Sequence, residues 1–211
     1  MKIIGGIAMN YSETLAYWYL RLNGFFPVRN FVLHRTPRST ESNQYDNADV
    51  DLLAVRFPSV HEKYEYVNRR DDQWDDHWDK KLLEEIPKLN RDFVGLIVEV
   101  KTGANSSNLS SFNETRIRAD IHRLGMFESS DTVNKLTEDL QKRKIVSKDG
   151  YSIGKVLISE RPKPGMWINI PLTDIDNYLH EHMKKYIDPK YASRHMFPDD
   201  LIQYIIWKER H

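Results

Sequence analysis

The chain has 211 residues, enough for one sizeable α/β domain with additions, and no cysteine, which excludes a disulfide framework, a cysteine nucleophile and a thiolate metal site. With 31 basic and 31 acidic residues it has no net charge, which argues against coating nucleic acid by charge alone but is compatible with a carboxylate site beside a local basic groove. Hydrophobic residues at 40% and charged residues at 29% are an ordinary globular balance; no stretch approaches the roughly 20 apolar residues of a membrane span, and the apolar run in MKIIGGIAMNYSET is too short for a signal peptide, so the expected setting is the cytoplasm.

Ser12 has the chemistry of an N-cap, and Glu13 to Asn23 reads as a helix closed by Gly24, with Leu15, Trp18, Tyr19 and Leu22 on its core stripe. Phe25 to His34 reads as a strand, the polar stretch Arg35 to Asn47 as a loop, and Val50 to Phe57 as a β-branched strand ended by Pro58. Residues 58–91 are dense in charge of both signs. Trp74, Trp78, Leu82 and Leu83 recur there at near-helical spacing, which predicts an amphipathic helical insertion and a helix seam rather than a base-stacking platform. Phe93 to Lys101, FVGLIVEVK, is a near-continuous apolar run, the pattern of a strand buried on both faces.

A polar loop, TGANSSNLSS, precedes helices at about Ser111 to Leu124 and Asp131 to Lys142. The run IVSKDGYSIGKVLIS predicts a hairpin turning at Asp149-Gly150 into a core strand over Lys155 to Ser159. A helix followed by a basic hairpin, VNKLTEDLQKRKIVSKDGY, also has the outline of part of a winged-helix reader; too few helices surround it, so a cap on the core is expected. MWINIPL reads as the last strand, and helices at about Thr173 to Tyr186 and Pro198 to Glu209 close the chain. This order predicts an α/β fold, a central mixed β-sheet flanked by helices. Residues 1–160 form its core, with the insertion at about 58–91, and residues 161–211 add a strand and helices that pack on it.

Two strands carry charge where a buried sheet should not. Strand alternation puts Asp49 and Asp51 on one face of ADVDLLAV, and Glu99 and Lys101 on one face of LIVEVKTG. A buried carboxylate needs a partner. A salt bridge at a strand end would supply one. So would a divalent cation, for which Asp51 and Glu99 are hard oxygen ligands of the kind Mg²⁺ or Mn²⁺ takes. Lys101 would then lie beside the ion, placed to lower the pKa of an attacking water or to steady charge on a phosphate.

An Asp strand, then Glu-x-Lys at the end of a buried strand, after a helix carrying Glu, resembles the PD-(D/E)XK nuclease superfamily. DLLA and VEVKTG are similar to its Holliday-junction-resolvase-like and restriction-endonuclease-like members. The resemblance covers about residues 12–125, together with the strand at Lys155 to Ser159, and departs from the pattern in having Val50 where Pro is common. It implies a restriction-endonuclease-like core and metal-dependent phosphodiester hydrolysis. Asp51 and Glu99 would be the metal ligands, Lys101 the catalytic lysine, and Glu13 the first-helix acid that reaches the metal; the helix dipole alone would also account for an acid at Glu13. Arg116, Arg118 and Arg123 follow the catalytic strand on a helix that approaches the phosphate backbone in similar nucleases, although a solvated helix face is the default there.

The expected activity is endonucleolytic cleavage of DNA, with RNA left open, in a bacterial defence or DNA-repair setting. The chain would act as a homodimer or as a subunit of a larger complex. The alternative is a non-catalytic nucleic-acid-binding or structural subunit with a nuclease-like fold. His180-Glu181-His182 is not expected to bind zinc, because helical residues two apart do not share a face.

Overall fold

The apolar stripe Leu15, Trp18, Tyr19 and Leu22 is buried along α1 (Tyr11–Leu22). This is the first element of the computed structural model, which describes residues 11–31, 50–60, 78–102, 112–186 and 199–209. The helix already includes Tyr11, so Ser12 lies fully buried inside its first turn rather than capping it. Its end is closed at Gly24, where the N–H of Phe25 donates to Leu20 O at 3.0 Å.

Three strands follow in an antiparallel run, β1 (Phe26–Phe31), β2 (Val50–Arg56) and β3 (Phe93–Lys101). A long excursion separates β2 from β3, yet the two pair directly, Leu52 opposite Val98. Its described part contains one short helix, α2 (Lys80–Glu85), with Leu82 and the preceding Trp78 buried; Trp74 lies outside the described residues. Arg56 holds the excursion to the sheet. It is fully buried at the end of β2 and donates to the carbonyl of Asn23 at 3.2 Å and to Asn90 Oδ1 at 3.0 Å, with its guanidinium over the Trp78 ring. Tyr19 adds a bond to Asp79, the N-cap of α2, at 2.7 Å.

After β3 the chain crosses over through α3 (Glu114–Leu124) and α4 (Ser130–Lys142). The first of these starts at Glu114 rather than Ser111, because Asn113 is the cap: its side chain accepts from the N–H of Arg116 at 3.0 Å. A hairpin joins β4 (Ile145–Lys148) to β5 (Tyr151–Ser159), turning at Asp149 (φ 51°) and Gly150 (φ 82°), left-handed positions where Gly carries no steric cost. This hairpin, expected to cap the core rather than to form a winged helix, is itself part of the central sheet: β5 pairs in parallel with β3 along its whole length. The other edge of β5 takes β4 along its first half and β6 (Ile168–Pro171) along its second. The strand order is β1-β2-β3-β5-β4, with β6 also on β5. The α/β class and the mixed sheet flanked by helices are thus as expected.

Alternation divides the two faces. Leu52, Ala54, Leu96, Val98, Val156 and Ile158 pack under α1, α5 (Leu172–Tyr186) and α6 (Asp200–Lys208). Leu53, Ile97 and Ile153 pack under α3 and α4. At Gly95 a Cβ would meet the Leu124 side chain at 2.8 Å, so the missing side chain lets the end of α3 settle on β3. The C-terminal elements share the core of the rest, through β6 in the sheet, α5 against α1 and α6 against α5. Among the described residues no helix is long and apolar enough to cross a membrane.

Candidate active site

Asp51 lies at the start of β2 and Glu99 and Lys101 at the end of β3, so the antiparallel pairing brings all three to one edge of the sheet. Beyond the last paired residues, Leu52 and Val98, Asp51 Oδ2 accepts the N–H of Val100 at 2.7 Å, which fixes the carboxylate against β3. Lys101 Nζ stands 2.6 Å from Glu99 Oε2 and 3.6 Å from Asp51 Oδ2. One ammonium thus touches both carboxylates, and their oxygens lie within a few ångströms of each other. Glu99 is buried, whereas Asp51 and Lys101 keep about a quarter of their side-chain surface exposed, so access is from their side.

Burial works to lower the Lys101 pKa, but Glu99 and Asp51 outweigh it and raise the value. Lys101 is therefore a firmly held cation. Glu13, in the first turn of α1, is near enough to feel both Asp51 and Lys101. Burial and the Asp51 charge raise its pKa, while Arg29 and Lys101 pull it down. Asp51, Glu99 and Lys101 thus meet at one place, with Glu13 within electrostatic reach of it. Asp49 lies outside the described residues. Among those residues no group of three His, Asp or Glu side chains is already close enough to share an ion.

The three arginines of α3 divide. Arg118 pairs with Glu114 one turn back on its own helix. Arg116 and Arg123 lie near Asp120, where both act to lower its pKa. His180 and His182 also diverge on α5. His180 Nδ1 is 2.6 Å from Glu209 Oε1, whereas His182 is buried.

Three charged residues, two near this edge and one farther back in the sheet, were not singled out from the sequence. Arg29 on β1 lies over the Tyr17 ring at 3.8 Å and close enough to Glu13 to act on it. Asp120 on α3 is buried, and that burial, with Glu99 next in effect, raises its carboxyl to about 7. Lys155 on β5 is buried with Nζ 5.7 Å from the centre of the Phe112 ring. A signal for the last two existed: Asp120 interrupts the stripe Ile117, Ile121, Leu124, and Lys155 interrupts the apolar run YSIGKVLIS.

The described donor set at the sheet edge is all carboxylate oxygen, chemically suited to a hard divalent cation. No protein-family model, no curated protein and no solved structure matches the chain.

Proposed function

We propose that this protein is a divalent-metal-dependent nuclease that hydrolyses phosphodiester bonds in DNA, an endonuclease of the restriction-endonuclease-like kind that its sequence resembles. The observation that carries the reading is the convergence of Asp51, Glu99 and Lys101 from two paired strands, with Glu13 arriving from α1. Asp51 and Glu99 would hold Mg²⁺ or Mn²⁺, with Glu13 assisting. The bound cation supplies Lewis acidity and a more acidic water.

The chain's own residues do the rest. Glu99 is rigidly placed in a buried strand and orients Lys101 through the 2.6 Å contact. Lys101, kept protonated by its two carboxylates, is no base; it neutralises charge that builds on the phosphate oxygens as water attacks phosphorus. Arg116, Arg118 and Arg123 on α3 are the cations that would meet the phosphate backbone.

The test is cleavage of supercoiled plasmid, linear duplex and RNA in Mg²⁺, Mn²⁺ or EDTA. Closed circular DNA should be cut with either metal and left intact in EDTA. Lys101→Ala should lower the rate by about 10²–10³-fold, the usual loss for one preorganised electrostatic group, with the fold retained. Equal cleavage by the variant would make Lys101 a structural cation. No cleavage of any substrate by the wild type would favour the non-catalytic subunit.

A further inference from the structure

Asp120 occupies a position where α3 calls for an apolar residue. Ile117 and Ile121 are both fully buried on the sheet-facing stripe, and Asp120 stands between them, 1% exposed. Its Oδ1 is buried without a hydrogen-bond partner. A carboxyl group in that state is costly, and alanine or leucine would fill the position without the cost. The charges that act on Asp120 are those of Glu99, Arg116 and Arg123; those that act on Lys101 are Glu99 and Asp51. Glu99 is the shared member, the one carboxylate that acts on both Asp120 and Lys101. By strand alternation Glu99 shares the face of β3 that bears Ile97, which packs with Ile117 and Ile121 of α3, so the buried, unpartnered Asp120 oxygen and the Glu99 carboxylate lie on the same side of the sheet, an arrangement suited to a positive ligand.

We infer that Asp120 is a further metal ligand, which together with Glu99 holds a divalent cation on the α3 side of the sheet edge. The inference rests on the nuclease reading only in taking Glu99 as a metal ligand. The ion is a hard dication of the Mg²⁺ or Mn²⁺ class, because both donors are carboxylates. Arg116 and Arg123, on the same face of α3 as Asp120, would then lie beside this ion as well as beside the substrate phosphates.

Mn²⁺ uptake by wild type, Asp120→Asn and Asp51→Asn, counted by electron paramagnetic resonance and by calorimetry, tests this without an activity readout. Asparagine keeps the shape of the side chain and removes a charge that is costly to bury, so the fold should survive, as circular dichroism would show. Wild type should take up two Mn²⁺ ions. Asp120→Asn should lose one or bind it at least tenfold more weakly, and Asp51→Asn should keep the ion that depends on Asp120. Wild-type stoichiometry and affinity in Asp120→Asn would overturn the inference and leave the Asp51 site standing. No Mn²⁺ bound by the wild type would remove both the inference and the nuclease reading.

Discussion

Lys101 and Lys155 lie on neighbouring parallel strands of one sheet, and their surroundings drive them in opposite directions. Lys101 has Glu99 and Asp51 within 4 Å, and its pKa rises. Lys155 is 2% exposed, no carboxylate among the described residues lies within ion-pair distance, and burial pulls its pKa down to about 8. Its contact with Phe112 offsets only part of that cost, about 0.5–2 kcal/mol. Lys155→Met should therefore stabilise the protein at pH 7 by about 1–2 kcal/mol. The gain should shrink as pH rises from 8 toward 10.5. In that window the folded wild type has shed the proton while the unfolded chain still holds it, so wild-type stability climbs. Urea unfolding at pH 7 and at pH 9.5 measures both terms. A loss of stability at pH 7 would show that the ammonium makes a stabilising interaction.

Among the elements, β2 and β3 decide the site, and Arg56 decides whether they meet. The 36 residues from 57 to 92 leave the sheet and must come back in register. The guanidinium of Arg56 ties the end of α1, the turn before β3 and Trp78 into one buried knot. Arg56→Leu strands several buried acceptors at once and should cost about 3 kcal/mol, visible as a lower urea midpoint. Since the same knot aligns β3 beside β2, the variant should also lose metal affinity although it touches no proposed ligand. A variant as stable as the wild type would show that the excursion is held elsewhere. At this scale much was legible in the sequence: the buried strand ending in Glu-x-Lys, the α1 stripe and the turn at Asp149-Gly150 are all local patterns. Helix starts were less so. At α3 three candidate caps, Ser110, Ser111 and Asn113, stand close together, and only the hydrogen bond to Arg116 selects one.

In the whole molecule the candidate site lies at the carboxyl ends of the parallel pair β3 and β5, where open α/β sheets leave a crevice for ligands. The last 50 residues contribute to it indirectly. Through α5, backed by α6, they press α1 onto the sheet, with Tyr178 against Tyr19 at 5.3 Å, and so set where Glu13 arrives. Because the proposed cation would bind only the folded chain, Mn²⁺ at about 100 times its Kd should stabilise the protein by about 2.7 kcal/mol. A thermal shift assay reads this as a rise in Tm, and Asp51→Asn should lose the share that comes from the ion at Asp51. A full shift retained in that variant would place the ion away from the sheet edge.

The sequence by itself determined that Glu99 and Lys101 share a face of a buried strand and that Asp51 sits on a second strand, because side-chain alternation is a property of one strand. It could not determine that Asp51 reaches Val100 and Lys101. That depends on register between strands 36 residues apart, which is set by partners far along the chain such as Arg56. The tertiary structure alone also brought Asp120 to Glu99 and separated Lys155 from every described carboxylate. A charge on an apolar stripe signals that something unusual is buried, but the energy of burying it is decided by the neighbours that packing supplies.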